Sequence, residues 1–228
     1  MNERSHLNMG ILGGSFDPVH LGHINLAQTV LDFFSLERIY FIPAHQSPHK
    51  KAGKASTADR WKMLELALSE FPHFELDDIE IKREKVSYTI DTLKKIHEKS
   101  NDEEYYLILG ADAFEQIHTW KNVEKIMQYA NMIIGARPGS PWEADSIIAQ
   151  KTPLQSLGRM EKIISKRGNA KFKNKETGKT IDFFECPLLD ISSSQAREAI
   201  QHGLSVKKML PSEVEQYIIH QSLYIASA

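Results

Sequence analysis

Short apolar runs alternate with amphipathic stretches along most of the 228 residues, and this alternation restricts the fold more than any other feature. Strands are expected near Met9–Leu12, Ile39–Ile42, Phe74–Ile81, Tyr106–Leu109 and Met132–Gly135. Between them fall helices near Val19–Phe34, Ala58–Phe71 and Ile90–Lys99, and helical pieces across Ala113–Tyr129. Apolar runs of strand length and stretches with one apolar stripe at helical spacing predict a mostly parallel, doubly wound α/β sheet. In such sheets ligands sit beyond the carboxyl ends of strands, near the point where strand order reverses.

The first strand–loop–helix unit carries the densest chemistry. Met9 to Leu12 runs into Gly13-Gly14-Ser15, where bare backbone can approach an anion. Pro18 is expected to open a helix carrying His20 and His23 in its first turn. Three residues apart on a helix is one face, so both imidazoles point toward the end where unpaired N–H groups and the dipole favour negative charge. That pattern is a phosphate site. Phe16 and Asp17 shape the turn, and for Asp17 a purely structural role stands level with a catalytic one.

Near the other end, Ser192-Ser193-Ser194 precede a helix expected from Gln195 to about His202, stopped by Gly203. Serines there can serve as caps alone, worth about 1 kcal/mol. Arg197 in the first turn opposes the dipole preference, a local cost that an anion at the site would offset. The segments Gly13–His23, Pro43–Lys50, Gly110–Asp112, Arg137 and Ser192–Arg197 each follow an expected strand, which gathers them at one sheet edge. One nucleotide crevice follows.

For a second substrate, Ser87-Tyr88-Thr89 precedes a helix whose amides, with the Thr89 hydroxyl, can receive a carboxylate. Trp120, after Gly110-Ala111-Asp112, reads by itself as a core residue ahead of a stacking platform. His45 and His49 have metal-like spacing on a helix, but Pro43 and Pro48 oppose a continuous helix there, so no protein metal site is expected.

Composition excludes several classes. Hydrophobic content of 41% and charged content of 25% fit a globular protein, no apolar run approaches a membrane span, and the first residues lack the apolar core of a signal peptide. A cytoplasmic protein is expected. The single cysteine, Cys186, rules out an intrachain disulfide, and a net charge of −2 gives no general pull toward nucleic acid or membrane. Residues 1–8 are expected to be a mobile lead-in to a single domain over 9–228, with an insertion near 140–185. Within it, residues 159–179 hold eight basic side chains against Glu161 and Glu176, reading as a solvated hairpin with a glycine turn or as a basic docking surface. Pro211 opens a last helix through His220, whose Val214, Tyr217 and Ile218 form a core stripe. Self-association into a homo-oligomer stays open.

His20-Leu21-Gly22-His23 resembles the HxGH signature of the nucleotidylyltransferase superfamily. Five further segments extend the likeness: Ile42-Pro43 through Lys50, Ser87–Thr92, Gly110–Asp112 with Trp120, Ala136–Gly139, and Ile191–Arg197. Together they resemble the bacterial nicotinate-nucleotide adenylyltransferases from Met9 to about Tyr224. The family's last motif reads ISSTxIR; Ser194 and Ala196 depart from it here, which bears on local packing.

The resemblance implies a Rossmann-like fold with a small C-terminal helical part. It also implies transfer of AMP from ATP to nicotinate mononucleotide, releasing pyrophosphate, as a step of NAD synthesis. His20 and His23 would contact the α- and β-phosphates, His23 stabilising charge on the displaced group. Gly13, Gly14, Ser15 and Lys50 would join the ATP site, with Gly110 and with Asp112 accepting from a ribose hydroxyl. Ser192, Ser193 and the catalytic Arg197 would hold the β- and γ-phosphates. Tyr88, Thr89, Trp120 and Arg137 would bind the mononucleotide, Trp120 stacking on the pyridine and Arg137 clamping the phosphate. Mg2+ would arrive with ATP and keep much of its water. An acceptor that is already a phosphate monoester, with a second pKa of about 6, needs no strong base, so direct in-line attack is expected.

Four rivals share parts of the pattern. A pantetheine-phosphate adenylyltransferase has the first and last motifs, against which Tyr88-Thr89 and Trp120 argue. An aminoacyl-tRNA synthetase lacks support without a KMSKS-like loop, and a dehydrogenase without GxGxxG. A non-catalytic nucleotide sensor would keep the crevice without turnover.

Overall fold

The computed structural model describes residues 7–46, 55–100, 102–136, 151–164, 170–186 and 189–225. The chain runs β1 (Leu7–Gly14), α1 (Leu21–Phe34), β2 (Arg38–Pro43), α2 (Thr57–Leu68), β3 (Phe74–Leu76), α3 (Thr89–Lys99) and β4 (Glu103–Gly110). There follow α4 (Ala111–Glu115), the 3-10 turns Ile117–Thr119 and Val123–Gln128, β5 (Asn131–Ala136), α5 (Lys151–Ser156), β6 (Met160–Ile163), β7 (Lys171–Asn174) and β8 (Thr180–Glu185). Two helices, α6 (Ser193–Gln201) and α7 (Ser212–His220), close the described chain.

The described strands form one sheet in the order β3-β2-β1-β4-β5-β8-β7-β6. From β3 to β8 all neighbours are parallel, and β7 and β6 add an antiparallel edge. β1 pairs on one side with β2 and on the other with β4, so the winding direction changes there and leaves a crevice beyond the carboxyl ends of both strands. Alternation along each strand loads both faces. Leu12 and Ile108 pack on the side of α1, α2, α6 and α7, whereas Met9, Ile11, Leu107 and Leu109 pack on the side of α3 and the second 3-10 turn. Among the described residues no helix is long and apolar enough to cross a membrane.

The doubly wound architecture agrees with the expectation, while several boundaries move. β1 starts at Leu7, two residues early, because Leu7 and Asn8 find register partners in Glu103 and Glu104. α1 starts at Leu21 and not at Pro18: His20 is its N-cap, in extended backbone with φ −141°. β3 ends at Leu76 and does not reach Ile81, since the Asp77 carboxylate accepts from the Ile79 amide at 2.8 Å and turns the chain. The β7–β8 hairpin forms around Gly178 at φ +77°, with the Asn174 side chain accepting from the amides of Glu176 and Thr177. Several of its described cations are paired: Lys171 with Asp182, Lys175 with Glu161 and Lys179 with Glu104, at 2.9, 3.1 and 3.0 Å. That pairing opposes a basic docking surface, but the hairpin is not a solvated insertion either: β8 pairs in parallel with β5, and Phe172, Ile181, Phe183 and Phe184 are buried.

Candidate active site

At the β1–α1 junction the two histidines cap one another. The His23 amide donates to His20 Nδ1 at 3.3 Å, and the His20 amide donates to His23 Nδ1 at 3.2 Å. An imidazole here does what serine or aspartate usually does at a helix start. With each Nδ1 accepting from backbone, the proton of each neutral ring belongs on Nε2. The rings stack with centroids 3.6 Å apart. They therefore share a face as the sequence implied, but through a cap and not through successive helical positions. Phe16, fully buried with φ +48°, meets His23 edge-on at 4.9 Å and supports the pair from below. Gly22 is required by close approach: a Cβ there would lie 3.0 Å from His20 Nδ1 and 3.5 Å from the Ile191 carbonyl oxygen.

The same loop receives α6. Ser193 Oγ donates to the Pro18 carbonyl at 2.9 Å, and Arg197 Nη1 donates to the Asp17 carbonyl at 2.6 Å. Ser192 caps α6 reciprocally with Gln195, accepting from its amide at 3.2 Å. Segments some 175 to 180 residues apart in sequence thus meet beside the imidazole pair. The start of α6 and Arg197 are both held against the loop before α1.

Beneath the loop lies a charge cluster only half visible in the sequence. Asp17, 6% exposed, accepts at Oδ1 from Tyr224 Oη at 2.6 Å and from the Ala55 amide at 3.2 Å. Arg60, 4% exposed on α2, donates to the carbonyls of Ser15 and His45 at 2.8 and 3.2 Å. Burial pulls the Arg60 pKa down and the Asp17 charge pushes it back up. Burial, then the hydrogen bond to Asp17, raises the Tyr224 phenol far above its ordinary range, with Arg197 and Arg60 acting in the opposite sense. Asp17 is thus a positioning group that ties the loop to the C-terminal segment and to the start of α2.

A cavity of about 440 Å3 opens beside Gly13, Gly14 and Ser15. Its floor is apolar, with Ile11, Ile42, Leu107 and Leu109, and its walls carry Tyr88, Thr89, Asp112, Gln116 and Trp120. The N-cap of α3, Tyr88, makes no side-chain cap hydrogen bond; the Asp91 amide donates to the Tyr88 carbonyl at 3.0 Å, which leaves the Thr89 and Ile90 amides as the uncapped donors at an end that lines the cavity. Ser87 anchors this loop to the end of β2 by accepting from the His45 amide at 3.0 Å.

Of the residues expected at the site, Gly13, Gly14, Ser15, Tyr88, Thr89, Asp112 and Trp120 line this one cavity. His20, His23, Ser192, Ser193 and Arg197 gather at the α1–α6 junction, and Gly110 is the N-cap of α4. Lys50 and Arg137 lie outside the described residues. Sequence reasoning missed Arg60, Tyr224 and Glu80. The signal for Arg60 was its place on the apolar stripe Met63, Leu64, Ala67, Leu68, where an unpaired arginine is untenable. Glu80 accepts from Thr92 Oγ1 at 2.6 Å and also lines the cavity, a pairing across elements that leaves no local pattern.

The cytidylyltransferase-like family model matches residues 11–199. A probable nicotinate-nucleotide adenylyltransferase of Citrifermentans bemidjiense is 37% identical over 220 residues, covering 96% of this chain and 99% of that protein. Another, of Syntrophotalea carbinolica, is 34% identical over 219 residues, covering 96% and 97%. Among solved structures, the Plasmodium falciparum nicotinic acid mononucleotide adenylyltransferase complexed with NaAD superposes with a TM-score of 0.73 at 21% identity, covering 96% of this chain and 98% of that one. The last likeness is one of fold. Full-length identity above 30%, joined to a capped histidine pair, an α6 arginine on the same loop and a half-apolar cavity beside them, means that this chain belongs to the nicotinate-nucleotide adenylyltransferase family of nucleotidyltransferases.

Proposed function

We propose that this chain transfers the adenylyl group of ATP to nicotinate mononucleotide, giving nicotinate adenine dinucleotide and pyrophosphate, in NAD synthesis. The observation that carries the reading is the adjacency of two unlike walls. On one side stand imidazole, guanidinium and amide donors suited to a polyphosphate; on the other is a cavity with an indole and a phenol suited to a flat ring.

The acceptor's phosphate attacks the α-phosphorus in line as pyrophosphate leaves. Catalysis is then positioning plus electrostatic stabilisation. His20 and His23 offer Nε2–H to the α- and β-phosphates, and their mutual caps hold those donors in place. Arg197 and the start of α6 hold the β- and γ-phosphates, Ser192 and Ser193 shaping that start. Since the Ser193 hydroxyl already donates to Pro18, its amide is the better phosphate donor. Gly13, Gly14 and Ser15 bring backbone beside the reacting phosphates, joined by Lys50. Trp120 stacks on the pyridine, Tyr88 and Thr89 receive its carboxylate at the start of α3, Arg137 clamps the mononucleotide phosphate, and Asp112 beside Gly110 accepts from a ribose hydroxyl.

The described phosphate side presents donors, and its buried carboxylate, Asp17, is engaged by Tyr224 and Ala55. This donor set fits Mg2+ carried by triphosphate oxygens and water, which would neutralise charge across the phosphates.

Pyrophosphate release in the presence of ATP and one of three acceptors tests the reading: nicotinate mononucleotide, nicotinamide mononucleotide or phosphopantetheine. Nicotinate mononucleotide should be consumed with the highest kcat/KM. Turnover of phosphopantetheine alone, or ATP binding with no turnover of any acceptor, would overturn it.

A further inference from the structure

We infer that Lys121 is the residue through which this chain favours an acceptor ring bearing a carboxylate over its carboxamide counterpart; the inference rests on the mononucleotide reading above. Among the described residues lining the cavity, the carboxylates are Glu80 and Asp112 and the cation is Lys121. An anionic ring substituent entering this cavity needs a positive answer. Glu80 is buried and bound by the Thr92 hydroxyl, whose oxygen also accepts from Arg83 Nη2 at 3.3 Å, so this carboxylate is already engaged in an internal network. Asp112 sits exposed in the first turn of α4, where the dipole favours its charge.

Lys121 follows Trp120 directly. Its ammonium lies 4.5 Å from the centroid of the Tyr88 ring and 2.9 Å from Asp91 Oδ2. It is therefore held at the rim between the indole and the uncapped start of α3. A pyridine stacked on Trp120 brings its ring substituent within reach of that flexible stem. The partner Asp91 does not tie the charge down, because both side chains are more than a third exposed and such pairs are weak. The ammonium can turn from Asp91 to a ligand carboxylate in a half-enclosed cavity, where a charge-assisted bond is stronger. A carboxamide gains nothing comparable.

The test is steady-state kinetics with saturating ATP on the wild type, Lys121→Met, Lys121→Arg and Asp91→Asn, against both mononucleotides. Lys121→Met should raise KM for nicotinate mononucleotide about tenfold with kcat changed less than about twofold, the size of one lost charge-assisted hydrogen bond. KM for nicotinamide mononucleotide should move by less than about twofold. Lys121→Arg should keep the preference, and Asp91→Asn should not weaken it. Equal rises in KM for both acceptors would mean that Lys121 only props the Tyr88–Trp120 wall, and no rise would leave the discrimination to backbone amides; either overturns the inference. If the wild type consumes neither mononucleotide, the functional reading fails separately. Titration calorimetry of both mononucleotides against wild type and Lys121→Met then decides Lys121 by the same ratio, with no wild-type binding counting against it.

Discussion

Replacing Gly22 with alanine would put a methyl group 3.0 Å from Nδ1 and 3.1 Å from Cε1 of His20. The imidazole must then move by a few tenths of an ångström or rotate away. It is held where it is by the His23 amide at 3.3 Å and by stacking on the His23 ring at 3.6 Å, so displacement disturbs both histidines. The effects on stability nearly cancel. Weakening an N-cap costs about 1 kcal/mol, and alanine in place of a helical glycine returns up to about 1 kcal/mol. A net change below about 1 kcal/mol moves Tm by less than about 4 °C in a chain of this size. Activity has no such compensation: a catalytic donor misplaced by about 1 Å loses on the order of 10²-fold in rate, so a shift of a few tenths of an ångström loses about tenfold or somewhat less. Gly22→Ala should therefore lower kcat for pyrophosphate release by about 5- to 10-fold while its circular-dichroism melt stays within about 4 °C of wild type. Unchanged kcat would refute the placement of the imidazoles as functional. A melt lowered by more than about 10 °C would show instead that the glycine serves the fold.

Trp120→Ala should raise KM for the mononucleotide more than KM for ATP in the same assay; equal rises would undo the stacking assignment. Tyr224→Phe removes a donor from the buried Asp17 carboxylate, a loss of about 1.5–3 kcal/mol. Its melt should fall by on the order of 5 °C, and an unchanged melt would remove Tyr224 from the loop's support. Cys186 is fully buried and burial raises its thiol pKa, so less thiolate forms at a given pH. Iodoacetamide at pH 8 should label it slowly in the native protein and rapidly in urea, and fast native labelling would contradict its burial.

The parallel sheet was legible because buried strands rich in Ile and Leu alternate with striped helices, and the histidine–glycine motif stood out because few other roles suit those residues after a glycine-rich strand end. The onset of α1 was not legible. Helix starts are normally signalled by Ser, Thr, Asp or Asn, and here a histidine ring takes that place, so Pro18 looked like the first helical residue. β3 was overextended for a similar reason, since one Asp77 side-chain bond ends it within the alternating stretch Phe74–Ile81. Asp17, Arg60 and Tyr224 come from the first loop, α2 and the C-terminal segment, and their convergence depends on tertiary packing that no local spacing encodes. The Glu80–Thr92–Arg83 chain escaped notice likewise. Arg197 stood out for a reason that does not hold: the helix starts at Ser193 and not Gln195, which puts Arg197 in the middle of α6 and away from the first-turn dipole, and what ties it to the site is its bond to the Asp17 carbonyl.

Direct transfer across one crevice is tested most sharply by stereochemistry at phosphorus. With ATP carrying a chiral thio substitution at the α-phosphate and nicotinate mononucleotide as acceptor, a single in-line displacement gives a dinucleotide of inverted configuration. Retention would mean two displacements through an adenylated side chain, and would contradict an arrangement in which His20, His23 and Arg197 only bind and stabilise.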